Sequence, residues 1–420
     1  MRRSHREGGT TALRWWILAL LFLAITINIL DRQVLSLVAP GLMTQLHITN
    51  TQYGVILMFF MLGMTIGQVP VGQALDRYGV RRGFPGLIFL WSIVNMLHGA
   101  ASAVAQFCGL RFLLGVAECG TYSAGVKVIG QWFPAEERAF ACGIFNSGSL
   151  AGAIIAPPVI VWLMTRFGWR AAFVLPGAIG LAWVLPWLRV YRKPPATEDK
   201  REPEGAVLVR DLLRLPAVWG VIAIRAFSGP VTQFYWYWLP SYLNRARGMS
   251  LAKIGMLAWL PFLCGALGNL GGGWLSSRLI RSGWSINRSR KTVFSLSVGL
   301  CLSAVLVPEV SSTFAAMTLL CAASVGINSV AANHIGILTD MFPESVLARV
   351  TGLTGVGDGV VSMIMMLVTG IVIDHFSYFP IFLGVGLFPL LVLLSLAILV
   401  GPVRRLPIER FSVCSVPPSA

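Results

Sequence analysis

Gly72-Gln73-Ala74-Leu75-Asp76-Arg77-Tyr78-Gly79-Val80-Arg81-Arg82 closes one long apolar run and opens another. The runs, over about 52–74 and 83–104, each approach the roughly 20 residues that a bilayer demands of a helix. A polar, basic turn between two such runs is the signature of a chain that crosses a membrane and comes back. Comparable apolar runs lie at Trp15–Leu30 and Ile381–Val400. Of 420 residues, 56% are hydrophobic and 12% charged, against roughly 25% charged in an ordinary soluble protein. The chain reads as a polytopic membrane protein.

A net charge of +16 would suggest a nucleic-acid partner in a soluble chain, but here its placement carries the meaning. Most Lys and Arg fall in the amino terminus and alternate connections. Only Arg166, Arg170, Arg245, Arg247 and Lys253 fall on the other side. By the positive-inside rule both termini are expected in the cytoplasm. Arg2, Arg3 and Arg14 ahead of an apolar run mimic a signal peptide, yet Asp31-Arg32 follows where a small-residue cleavage site should stand, so a retained first helix is expected. The seven cysteines show no CxxC or Cys/His pair at metal spacing and read as unpaired thiols.

Apolar runs and their breakers give twelve spans. Six lie in 14–190, at about 14–38, 52–74, 83–104, 106–127, 138–164 and 169–190. Six more lie in 217–402, at about 217–242, 252–276, 291–308, 311–339, 346–373 and 379–402. The polar stretch 191–216, with Pro194-Pro195 and Glu198 to Arg201, is expected to link two six-helix halves. The halves repeat weakly: Gly72-x-x-x-Asp76-Arg77 is answered by Gly273-x-x-x-Ser277-Arg278, with Gly67 and Gly268 upstream of each. Two similar halves holding substrate between them is how many secondary carriers are built. An all-α membrane protein of two pseudo-symmetric halves follows.

Setting loop charges aside leaves Arg32, Arg111, Lys127 and Arg225 at membrane depth, with Asp31, Glu118 and Asp358. Each ionised group there costs at least about 2.5–3.5 kcal/mol on insertion scales, so each is expected to face the interior and find a partner. The surplus cation suits an anionic substrate. Arg32, whose planar fork matches two oxygens, is the expected carboxylate receptor, with Asn28 one turn away on the same face. The alternative is an Arg32–Glu118 or Asp31–Arg111 pair that only fastens helices together. Glu118 lies two turns beyond Arg111, and its protonation state should depend on which arginine it faces. It is the expected proton carrier, with Asp31 second and His334 third.

Tyr235 and Trp238 share a face and could stack on a sugar ring, or belong to an interfacial aromatic belt. Asn146, Ser147, Asn328 and Asn333 could bond substrate hydroxyls or neighbouring helices. Gly265, Gly268 and Gly271–Gly273 read as close-packing positions. A primary pump is excluded, because Gly120-x-x-x-x-Gly125-Val126-Lys127 has the wrong spacing for a phosphate loop and lies inside a span. Ser149 with His334 is too weak a pair to suggest an enzyme.

The Gly72–Arg82 stretch resembles the loop signature of the major facilitator superfamily, in which Asp76 would latch the cytoplasmic side. A narrower resemblance is carried by Asn28-x-x-Asp31-Arg32-x-x-Leu35-Ser36, Arg111-Phe-Leu-Leu-Gly115-x-x-Glu118, and Gly143-Ile-Phe-Asn-Ser-Gly148 with Pro157. To these add Gly273-Trp274 through Arg281, Trp284, Asn287-Arg288 and Lys291, and Asn333 before Thr339-Asp340-Met-Phe-Pro343. Together they are similar to the anion:cation symporters, and to their bacterial hexuronate branch in particular. The resemblance implies the major facilitator fold and proton-coupled uptake of a sugar acid, a hexuronate or aldonate, across the bacterial inner membrane. It implies that Arg32 holds the carboxylate and that Asp31, Arg111 and Glu118 serve proton coupling. The expected substrate-facing set is Arg32, Asn28, Gln68, Asn146, Tyr235, Trp238 and Asn333. The implied cytoplasmic gate is Gly72, Asp76, Arg77, Arg81 and Arg82.

The sequence departs from that branch at Met64, Thr121-Tyr122-Ser123, Gly229, Thr232-Gln233, Ile327-Asn328, Val330 and Asp358. The pocket lining therefore leaves room for another small carboxylate, aromatic or dicarboxylic. A drug/proton antiporter is the remaining rival, poorly served by two buried arginines. Neither metal nor organic cofactor is expected, only protons as coupling ion. The expected partners are a small organic anion and the lipid bilayer, not nucleic acid, with the protein a monomer.

Overall fold

A computed structural model describes residues 2–192 and 209–406 of the chain. The six apolar runs of the first half are α1 (Arg2–Gln45), α2 (Asn50–Tyr78), α3 (Val80–His98), α4 (Val104–Glu118) continued by α5 (Gly120–Trp132), α6 (Ala135–Phe167) and α7 (Trp169–Val190). A short α8 (Val209–Leu212) precedes the second set. These are α9 (Pro216–Tyr237) with α10 (Leu239–Arg245), and α11 (Leu251–Leu257) with α12 (Leu260–Arg281). Then come α13 (Ile286–Cys301), α14 (Thr313–Met341), α15 (Glu344–His375) and α16 (Phe379–Ser395).

All twelve expected spans are helical. Among the described residues, ten helical spans are long and apolar enough to cross a membrane. The two outside that set are α3, which opens on Arg81 and Arg82, and α9, which carries Arg225. Of the expected linker 191–216, residues 193–208 lie outside the described residues, as does Cys414. The other six cysteines are free thiols.

Local chemistry sets the helix ends. Thr49 caps α2 by accepting from the Gln52 N–H, and Gln52 answers in a capping box. Ser250, Ser285 and Ser312 cap α11, α13 and α14 in the same way. Between α2 and α3 the chain turns on Gly79 at φ 72°, a conformation that a side chain would strain. That explains why the Asp76-Arg77-x-Gly79 turn needs its glycine.

The lipid-facing surface is legible on α16, where Leu383, Leu387, Leu390 and Leu394 are exposed at helical spacing. A continuous exposed leucine stripe is what a helix shows when its outer solvent is hydrocarbon.

The chain divides into two compact units. The first is Met1–Glu198 with Trp236–Leu260 and Met366–Asp374; the second is Asp199–Tyr235, Pro261–Met365 and His375–Ala420. In the first, α1 packs on α6, α2 on α4, and α3 on α7. There the last turns of α15 join α2: the Asp374 carboxylate accepts from Asn50 N and Nδ2 at 3.0 and 2.7 Å, and from Thr51 N and Oγ1 at 2.6 Å each. Arg245 donates to the same Asn50 side chain at 3.2 Å. In the second unit α13 packs on α14 and α16, and a core of Val218, Val221, Phe294, Val330, Ile337 and Val392 lies between them.

Candidate functional site

The first unit gathers charges from α1 and α4. Arg32 Nε lies 2.7 Å from Glu118 Oε2, the Arg32 side chain 21% exposed and that of Glu118 fully buried. The fastening pair weighed from sequence therefore exists, and it joins the two residues expected to bind anion and proton. What the pair does depends on access. Its acid is sealed, while the side chain of its cation is partly exposed.

Two glycines bring the rest into place. A Cβ at Gly63 on α2 would meet the Phe112 carbonyl, and one at Gly115 on α4 would meet the Phe60 carbonyl. Their absence lets the two helix backbones touch. Phe60 is thereby set between two guanidinium groups, with Arg32 Cζ 5.8 Å and Arg111 Cζ 5.7 Å from its ring centroid. Each cation sits where the negative face of the ring offsets part of its desolvation. Arg111 is fully buried, and its guanidinium nitrogens have no hydrogen-bond partner among the described residues.

Asp31 is fully buried beside Arg32 in sequence but is held by α3. Its Oδ1 accepts from Asn95 Nδ2 at 2.8 Å, and the same amide reaches the Phe173 carbonyl at 3.2 Å. Asn95 was not singled out from sequence; a neutral amide in an apolar run gives no charge signal. His98, one turn on, stacks on Phe173 at 5.2 Å.

Tyr237 is a second residue that the sequence did not reveal. It lies 6.1 Å from Phe60, ring to ring, and its carbonyl accepts from Tyr53 Oη at 2.9 Å. The expected pair, Tyr235 and Trp238, is placed differently. Trp238 is fully buried, edge-on to Tyr53 at 5.0 Å. Tyr235 is buried beside Phe234 in the second unit. Residues 235 and 237 point to opposite sides of a helix, and the break between α9 and α10 at Trp238 ends the register that joined 235 to 238.

Other expected residues sort plainly. Asn28 is buried one turn from Arg32, whereas Gln68 and Asn146 are exposed. Asn333 is fully buried and already engaged: it donates to the Ser329 carbonyl at 3.0 Å and accepts from Arg290 at 3.2 Å. Arg290 also meets Asp340 at 2.9 Å and Ser276 at 3.1 Å. Of the two roles open to Asn333 from sequence, the structure shows hydrogen bonds that join helices. Among the expected close-packing glycines, Gly265, Gly268 and Gly272 abut α14, but a Cβ at Gly271 or Gly273 would meet nothing.

At the expected gate, Asp76 pairs with Lys127 at 2.5 Å, which removes Lys127 from the deep charges. Arg77 lies over Tyr78 at 5.7 Å, Arg81 and Arg82 are exposed, and Gly72 has open space around it.

In the second unit Arg225 on α9 pairs with Asp358 on α15 at 2.7 Å. Asp358 Oδ1 also meets the Ser362 hydroxyl at 2.9 Å. A Cβ at Gly229 would collide with that carboxylate oxygen, so two of the departures noted above, Gly229 and Asp358, depend on each other. His334 is buried, and its Nε2 donates to the Val221 carbonyl at 3.0 Å. A carbonyl can only accept, which fixes the tautomer.

Long apolar helices that carry buried charge pairs are what a membrane carrier shows, and comparison with known proteins agrees. The Major Facilitator Superfamily model matches residues 21–283 and 280–412. The chain belongs to that superfamily. The transporter is 30% identical over 400 residues to the hexuronate transporter of Escherichia coli (strain K12), covering 90% of this chain and 92% of that one. It is 26% identical over 418 residues to a D-galactonate transporter of Escherichia coli O6:H1, covering 93% and 96%. A crystal structure of a D-xylose-proton symporter superposes with TM-score 0.74 at 14% identity, over 92% of this chain and 98% of that one. The last likeness concerns the fold alone. The protein is a multi-pass membrane transporter of a family of carriers, not an enzyme.

Proposed function

We propose that the transporter couples the inward movement of protons to uptake of an organic anion, a sugar acid of the hexuronate or aldonate type, by alternating access in the bacterial inner membrane. Both termini lie in the cytoplasm, the protein acts as a monomer, and the proton is the only coupling factor. The observation that carries this reading is the half-open Arg32–Glu118 pair at 2.7 Å. An incoming carboxylate takes the exposed edge of Arg32 in a two-point charge-assisted bond. Glu118 then loses its direct counter-ion inside a sealed site, where an isolated carboxylate is strongly disfavoured, and takes up a proton. Anion and proton thus bind together and leave together. Arg111 holds positive potential over the site, and Asp31, oriented by Asn95, is the second proton acceptor. The substrate class is supported by the named substrates of the relatives and by the cationic edge of Arg32.

The test is uptake of labelled D-glucuronate and D-galactonate into proteoliposomes under an imposed inward proton gradient. Accumulation above equilibrium, abolished by a protonophore, is expected for at least one of them. Flux that ignores the gradient would refute proton coupling, and no flux of any sugar acid would refute the substrate class.

A further inference from the structure

Arg225, Asp358 and His334 lie at membrane depth and have no part in the mechanism above. All lie in the second unit. An ion pair is an expensive way to join two helices in a membrane, and well-packed apolar residues of similar volume often do it as well or better. An intramembrane pair with one open side therefore calls for a functional reason.

The geometry around Asp358 suits a carboxyl that changes its protonation state. Oδ2 faces Arg225 at 2.7 Å, which favours the anion. Oδ1 faces the Ser362 hydroxyl at 2.9 Å, and a hydroxyl can donate to a carboxylate or accept from a carboxylic acid. Both states are thus hydrogen-bonded without a change of rotamer. The carboxyl lies against bare backbone where Gly229 leaves room. The pair is not closed off, since the Arg225 side chain is 33% exposed and that of Asp358 11%. Among the described residues of this unit, the titratable or charged groups near the pair are Arg225 on α9 and His334 on α14. His334 is bonded to Val221, one turn from Arg225 on α9.

We propose that Asp358 is a further proton-binding carboxylate, and that its protonation opens the Arg225–Asp358 pair in each transport cycle. This rests on the proton-coupled reading of the first unit. The proton adds to Asp358 Oδ2 and breaks the ion pair, while the carboxyl keeps its hydrogen bond to Ser362 and the guanidinium stays charged. Return of the proton to water re-forms the pair. Each cycle thus carries one more proton, through residues separate from Arg32 and Glu118.

The test measures how many protons accompany each anion. Wild type and the neutral double variant Arg225→Gln/Asp358→Asn are placed in proteoliposomes, and the proton gradient that just balances a known gradient of labelled D-glucuronate is found. The ratio should fall by one proton per anion in the double variant. A relocated pair, Gly229→Asp with Asp358→Ala, puts the carboxylate four residues from Arg225 on the same helix face and should keep the wild-type ratio. An unchanged ratio in the double variant overturns the proposal.

If wild type shows no proton-driven flux, the reading of the first unit has failed, and a spectroscopic arm decides the second. Infrared difference spectra between acid and neutral pH, on the full chain in lipid, should show the carbonyl stretch of a protonated carboxyl that disappears in the double variant. Identical spectra also overturn the proposal.

Discussion

Arg32–Glu118 in the first unit and Arg225–Asp358 in the second are both 2.7 Å pairs that join two helices, yet they differ in their surroundings. The first is embedded among further charges, with Arg111 sharing the Phe60 ring and Asp31 held by Asn95, and its acid is sealed. In the second, the acid also meets the Ser362 hydroxyl and is itself 11% exposed. Contact length therefore says little about what a buried pair does. Neighbouring charge decides which partner is stranded when the contact opens, and exposure decides what can replace it.

The contrast predicts a gradient of effects. Arg32→Ala should be the most severe, because it leaves Glu118 buried without its direct cation. Breaking a buried pair from one side costs about 3–5 kcal/mol, and uptake should fall more than a hundredfold. Arg32→Lys should recover only part of it, since an ammonium lacks the planar fork. Initial uptake rates over a substrate series test both. An Arg32→Ala protein with near-normal KM would put the anion elsewhere.

Gly229→Ala should come next. Its methyl would collide with Asp358 Oδ1, and overpacking of this kind costs about 1–3 kcal/mol. A lower Tm is expected in a thermal unfolding assay in detergent, and Asp358→Ala should cost less in the Gly229→Ala chain than in the wild-type chain. Equal costs in the two chains would show that the clash is relieved in some other way.

The smallest change is expected at the gate, where the Asp76 side chain is 74% exposed. Exposed pairs contribute about 0–1 kcal/mol. Asp76→Asn should leave Tm nearly unchanged, and its effect, if Asp76 acts as a latch, should appear in transport rate instead. A large drop in Tm would make the Asp76–Lys127 contact structural.

What was legible in the sequence follows the same physics. A charge in an apolar run is conspicuous because the bilayer penalises it, so Arg32, Arg111, Glu118, Arg225 and Asp358 could be named before any contact was known. The twelve spans were legible for the same reason, from length and hydropathy. Asn95, Phe60 and Tyr237 were not, because a neutral side chain in a membrane helix has no periodic signature that marks which neighbour it meets. Tyr237 was missed in favour of Tyr235 because the helix breaks at Trp238 and the face cannot be carried across. Asp374 was missed because its role arises from the first turn of α2, more than three hundred residues earlier in the chain. For Asn333 the sequence left two roles open, because its partner Arg290 enters from another helix and no local pattern shows that bond.

The central claim is that Glu118 links proton and anion through Arg32. It is tested most directly by Glu118→Gln, which keeps the shape and removes the titration. Gradient-driven accumulation of the labelled sugar acid should vanish while exchange of labelled for unlabelled anion across the same vesicles persists. Accumulation undiminished in Glu118→Gln would contradict the account and move the coupling proton to another residue.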